Sequence, residues 1–184
     1  MACTIDKEKI QETIAFHGHS CPGLAIGIRA SELALNRLDF GPEANMVCVV
    51  ETDMCGVDGI QYLTGCTFGK GNLIHKDFGK AGFTFFDRSK SQGFRALFQD
   101  DAIQAFEPAK GENEKQARTR AIMDADLADL FTVSPVEAPP VRPARILESM
   151  ICQECGEKVM ESRIRRYAGK DLCIPCFGRH EQKI

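Results

Sequence analysis

Four cysteines near the C-terminus constrain this chain more than any other feature in it. CQEC begins at Cys152, CIPC begins at Cys173, and 17 residues lie between the two pairs. Each C-x-x-C pair lets two sulfurs converge on one side of an ion from a tight turn, and two such pairs complete the tetrahedral shell that Zn2+ prefers. The intervening GEKVMESRIRRYAGKDL reads as a hairpin turning near Ala168, Gly169 and Lys170, which brings Cys152 and Cys155 against Cys173 and Cys176. A module this small buries too little apolar surface to hold one shape, whereas zinc at such a site contributes on the order of 10 kcal/mol. The alternatives are an iron–sulfur centre on the same four thiolates, or four unrelated reduced cysteines.

The chain has nine cysteines among 184 residues, an odd number. Its start, MACTIDKEKI, lacks the apolar run of a secretory leader, and no stretch of about 18 apolar residues suits a membrane span. A cytoplasmic location with no membrane association is therefore expected, and there thiols serve metals or reactive chemistry rather than a disulfide framework. Five cysteines lie early (Cys3, Cys21, Cys48, Cys55, Cys66) and four late, which predicts two regions with different uses.

Hydrophobic periodicity orders the rest. DKEKIQETIAF, residues 6 to 16, reads as a short helix, and PGLAIGIRASELALNRL as a longer one with Pro22 at its first position and Leu24, Ile28, Leu35 and Leu38 as its buried stripe. Gly23 and Gly27 leave a small-residue face open to close approach by another backbone. NMVCVVET predicts a buried strand with Cys48 as plain core, and VDGIQYLTG a short helix stopped at Gly65. NLIHKDFGKAGFTFFDRS predicts a hairpin turning at Gly79-Lys80, GFRALFQ a further strand, and ENEKQARTRAIMDADLADL one continuous helix. SPVEAPPVRPARI holds four of the eight prolines and suits a linker or a sheet edge. The expected architecture is α+β, a mixed or antiparallel sheet packed with helices over residues 1–140, followed by a zinc ribbon over 141–184.

The early cysteines carry a second pattern. FHGHSCPG places His17, His19 and Cys21 within five positions, directly before the helix that Pro22 opens. Ser20 or Cys21 caps that helix, so the Cys21 sulfur lies in the field of unpaired amide N–H groups, which stabilises a thiolate. ETDMCGVDGI repeats the design at Cys55, with Asp53 or Asp58 available to cap or orient. If the two helix starts converge, His17, His19, Cys21 and Cys55 form a mixed nitrogen and sulfur set suited to zinc or another borderline-soft cation, hence a second metal in the core. The alternative makes HGH a turn and the two cysteines ordinary buried residues. GCTFGKGN fails the phosphate-loop pattern, because only three residues separate Gly65 from Gly69 and no Ser or Thr follows Lys70. It predicts a sharp turn, with Lys70 solvated.

Three segments in register, "FHGHSCPGLAIGIRA", "VVETDMCGVDGIQYLTGCTFGKGNL" and "KDFGKAGFTFF", closely resemble the FmdE family of formylmethanofuran dehydrogenase components, over about residues 10 to 135. The tail resembles the DksA/TraR-like zinc ribbon that some members carry. The resemblance implies an α+β core, a tightly intertwined homodimer and a zinc-finger appendage. It also implies work beside a molybdenum or tungsten enzyme that reduces carbon dioxide to a formyl group, whose catalytic apparatus belongs to other subunits. Carried over by motif, the positions of interest are His17, His19, Cys21 and Cys55, with Cys66 and Lys70 beside them.

These observations predict a dimeric metal-binding accessory protein, with a Cys/His site in the core and a structural zinc finger that contacts a metalloenzyme. A regulator is the second reading, its ribbon binding RNA polymerase or nucleic acid through Arg163, Arg165 and Arg166. The ribbon region carries nine Lys/Arg against six Asp/Glu. Four thiolates on one Zn2+ add roughly −2 and leave an excess of only about +1, thin support for phosphate binding. An enzyme with Cys55 or Cys21 as nucleophile and His17 or His19 as base is the third.

Overall fold

The computed structural model describes residues 2–38, 45–103, 107–137 and 146–180. They form two units, one within residues 1–142 and the other within 143–184.

The larger unit begins with helix α1 (Lys7–His17), capped by the Asp6 carboxylate on the Glu8 amide. Helix α2 (Pro22–Arg37) follows after four residues, with Pro22 pre-set for a first helical turn. Strand β1 (Met46–Val50) leads into α3 (Gly56–Thr64), which ends where Gly65 turns left-handed at φ 67°. Strands β2 (Leu73–His75), β3 (Gly82–Asp87) and β4 (Gln92–Phe98) come next, then a 3-10 turn, helix α4 (Glu114–Asp124), helix α5 (Leu127–Leu130) and strand β5 (Phe131–Val136).

The five strands make one mixed sheet in the order β2-β1-β3-β4-β5. β1 pairs with β2 in parallel, Cys48 opposite Leu73, so β1, α3 and β2 form a parallel crossover unit. All other pairings are antiparallel. Ala25, Ile26, Ala30 and Leu33 of α2 pack against Cys48, Val50, Phe83, Phe85 and Phe94 of the sheet in the main core. The α+β class and the mixed sheet are as the periodicity predicts.

Several local expectations are corrected. Gly79-Lys80 does not close a hairpin, because β1 lies between β2 and β3. Strand period reveals a strand but not its neighbour, and β1, buried along its whole length, takes both edges. The long helix expected over residues 112–130 breaks at Ala125 and Asp126 into α4 and α5. The Ala125 carbonyl, at the break, accepts a hydrogen bond from the buried Arg29 guanidinium. Leu35 is exposed rather than part of the α2 stripe, whereas every residue from Leu24 to Ala34 is buried, so this helix is enclosed on all sides. The proline-rich segment divides: Pro135 lies in β5 at the sheet edge, where its missing N–H is harmless, and residues 138–145 lie outside the described residues.

The smaller unit has two hairpins, β6 (Ser149–Ile151) with β7 (Lys158–Met160) and β8 (Ile164–Tyr167) with β9 (Lys170–Cys173), then a short helix α6 (Ile174–Phe177). Ala168 and Gly169, both with positive φ (48° and 79°), make the two-residue turn between β8 and β9. That turn is where the sequence places it.

Candidate metal centres

In the larger unit the chain delivers four donors from three places. His17 ends α1, and Gly18 at φ 95° reverses the backbone so that His19 returns beside it, the two rings 4.5 Å apart between centroids. Cys21 is the N-cap of α2, its sulfur accepting from the Leu24 amide at 3.4 Å. Cys55 occupies the N-cap position of α3 without capping it. The helix starts meet because their residues are small: a Cβ on Gly23 would touch the Cys55 Cβ at 3.2 Å, and a Cβ on Gly56 would come within 2.8 Å of the Gly23 carbonyl oxygen. The small-residue face of α2 is thus occupied by α3 of the same chain.

One donor atom from each of His17, His19, Cys21 and Cys55 lies within 4.8 Å of all the others. Cys21 is buried, Cys55 half-buried and His19 exposed. The His17 side chain is 10 % exposed. Its Nδ1 lies 2.7 Å from Asp58 Oδ2. A carboxylate only accepts, so Nδ1 holds the proton and Nε2 presents its lone pair. That Nε2 is buried with no hydrogen-bond partner. An orphaned imidazole nitrogen beside two thiols, its ring fixed from behind by a carboxylate, is the arrangement a zinc-type ion requires. The residues present therefore fit such an ion.

Electrostatics at the two sulfurs differ from the sequence expectation. Burial, and after it the neighbouring Cys21 thiol, pushes the Cys55 thiol above its ordinary value. The start of α3 does not outweigh this, so Cys55 gains by surrendering its proton to a cation rather than by standing as a free thiolate.

The other early cysteines lie elsewhere. Cys48 and Cys66 are fully buried in the main core, and burial raises both thiols. Neither groups with the four donors. Lys70 Nζ donates to the Gly65 carbonyl at 3.0 Å and so closes the end of α3. Asp58 was readable as an orienting residue, but its partner 41 positions away was not.

In the smaller unit Cys152, Cys155, Cys173 and Cys176 likewise bring their sulfurs within 4.8 Å of one another. The first knuckle turns through Gly156 at φ 77°, with the Cys152 amide on the Glu157 carbonyl at 2.9 Å. The Cys173 amide reaches across to the Cys152 sulfur at 3.3 Å. The Cys155 and Cys173 amides hold the Cys152 thiol down at about 6, while burial and the sulfurs around it push Cys176 up. One thiolate thus stands ready at neutral pH, and the remaining protons leave as a cation binds. Glu154, between the first two cysteines, takes His180 Nε2 at 2.7 Å, and the His180 ring stacks on Tyr167 at 4.9 Å. Sequence reading missed this outer support. Arg163, Arg165 and Arg166 are exposed, Arg166 lying 3.7 Å from Asp171.

Among the described residues, no helix is long and apolar enough to cross a membrane. Residues 145–182 match the prokaryotic DksA/TraR C4-type zinc finger. A protein of Archaeoglobus fulgidus described as a probable S-adenosyl-L-methionine-binding protein is 31 % identical over 191 aligned positions, covering 90 % of this chain and 51 % of that one. The chain thus spans about half the length of that curated relative. The crystal structure of an FmdE-like protein of tungsten formylmethanofuran dehydrogenase from Syntrophus aciditrophicus has the same fold, with a TM-score of 0.71 at 23 % identity and 100 % of both chains covered. The profile of the FmdE family, described as molybdenum formylmethanofuran dehydrogenase operon, matches residues 16–132. With well over half of its length inside that match, this chain belongs to the FmdE family.

Proposed function

We propose that the protein is a cytoplasmic, dimeric metal-binding accessory protein that serves a metalloenzyme. His17, His19, Cys21 and Cys55 hold one ion in the core, and Cys152, Cys155, Cys173 and Cys176 hold Zn2+ in the ribbon. The core ion supplies a Lewis-acidic centre, and the ribbon serves partner contact. One observation carries the reading: two separate four-donor sets, each gathered within 4.8 Å, in one chain. Metal analysis of the full chain tests it. Two ions per chain are expected, and Cys152→Ser combined with Cys173→Ser leaves one. If that double variant loses all metal, the core site is lost with it.

The exposed guanidinium groups of Arg163, Arg165 and Arg166 favour a second reading, in which the ribbon docks on RNA polymerase or nucleic acid. Charge reversal at the three positions should weaken capture of that partner, and unchanged capture counts against it.

A further inference from the structure

A cleft of about 390 Å³ opens beside the core donors. It lies at the carboxyl ends of the two parallel strands, where Val50 ends β1 and His75 ends β2. Asp53, Cys55 and Asp58, around the start of α3, also line it. A parallel strand–helix–strand unit leaves its crevice at this end, because both strands and the first turn of the connecting helix face the same space.

Two observations point to an occupant. His17 lines the cleft with its side chain nine-tenths buried and its Nε2 unpartnered. Asp53 and His75 also line it, both exposed, and neither side chain makes a hydrogen bond or ion pair with any described residue. Polar groups at the mouth of a cleft without internal partners are free to be satisfied by a ligand.

The lining selects the class. It holds two carboxylates, Asp53 and Asp58, and no lysine or arginine. A divalent ion on two thiolates and two imidazoles is neutral overall, so it does not reverse that field. Opposite the acids lie Val57, Leu73 and Phe68, the last 74 % exposed and free to cover a ring. We infer that the cleft binds a small protonated amine with an apolar, ring-bearing body. The ammonium pairs with Asp53, and the body lies on the Val57, Leu73 and Phe68 side. Carboxylate- and phosphate-bearing molecules are turned away by the same two acids. The inference goes beyond the metal-binding reading and does not need it, since Asp53 is not among the metal donors.

The zinc-loaded full chain, with its valine and leucine methyls labelled for NMR, supplies the test. It is titrated with 2-phenylethylamine, with 2-phenylethanol, and with 3-phenylpropionate, which has the same ring but the opposite charge. The amine should shift the Val50, Val57 and Leu73 methyl signals saturably, the alcohol more weakly, and the carboxylate not at all. Asp53→Asn, an exposed change that leaves the fold intact, should weaken the amine about tenfold, the loss expected for one charge-assisted hydrogen bond. Phe68→Ala should weaken all binding in proportion. Saturable binding of the carboxylate, absence of any saturable shift, or an Asp53→Asn protein that binds the amine as tightly as the parent overturns the assignment. Metal content measured on the same sample separates the two ideas: a single ion per chain removes the core metal centre, while the methyl shifts still decide the cleft.

Discussion

Gly27 of α2 lies so close to Gly56 of α3 that a Cβ added to Gly27 would fall inside the Gly56 peptide group. The crossing of these two helices brings Cys21 and Cys55 to one point, so the donor set depends on a pair of hydrogen atoms where other residues carry carbon. Gly27→Ala should therefore destabilise the larger unit by about 1–3 kcal/mol through overpacking, and push the helix starts apart. Thermal unfolding and metal content check both effects. Core metal should be lost and ribbon metal retained.

Asp58 fixes the His17 ring from behind, at 2.7 Å on Nδ1. Asp58→Ala frees the ring to rotate and to exchange its proton between nitrogens, which should cost about 10- to 100-fold in core metal affinity. Competition with a chromophoric chelator measures it. Asp58→Glu should recover part of the loss, and ribbon affinity should not change.

Arg29 and Glu32 make a fully buried ion pair at 2.7 Å on one face of α2. Arg29 also donates to the Ala125 carbonyl, and Glu32 accepts from the Thr4 amide and hydroxyl at 2.6 and 2.7 Å. The pair thus ties the N-terminal segment and the α4–α5 break to the central helix. Arg29→Met strands a buried carboxylate and should destabilise by about 3–5 kcal/mol, whereas the double change Arg29→Met, Glu32→Leu should recover much of that loss. Denaturant unfolding distinguishes them.

Legibility in the sequence followed the range of the interaction. The ribbon was readable because its chemistry is written in two short spacings, and its turn because Ala168-Gly169 is a local signal. α1, α2, β1 and α3 were readable from period and from Pro22 and Gly65. What escaped was long-range. β1 inserts between β2 and β3, a choice made by burial on both sides of the strand. The helix expected through Asp124 breaks at an atom that a guanidinium 96 positions earlier holds. Arg29 and Glu32 read as part of a solvated helix because charge is usually exposed, and only the enclosure of α2 reveals them as core. Convergence of His17, His19, Cys21 and Cys55 was legible as chemistry but not as geometry, since it needs the α2–α3 crossing that Gly27 and Gly56 permit.

Glu51, just past the end of β1, and Arg95 of β4 form a two-pronged ion pair at 2.6 and 2.7 Å. The Arg95 guanidinium holds the Glu51 carboxyl below the ordinary carboxylate range. A group whose folded value is depressed contributes stability above its unfolded value, about 4.3 for Glu, and loses it as pH falls through the folded value. The chain should therefore lose stability on acidification below about pH 4.3, where the unfolded state takes up the Glu51 proton first. Glu51→Gln cannot titrate. It should be less stable than the parent at pH 7, and the gap should narrow steadily as the pH drops toward the folded value. Urea unfolding of both proteins at matched pH values, with the midpoint difference plotted against pH, reads the effect. A gap that stays constant across the acid range would show that the pair contributes through packing of the two side chains rather than through their charges.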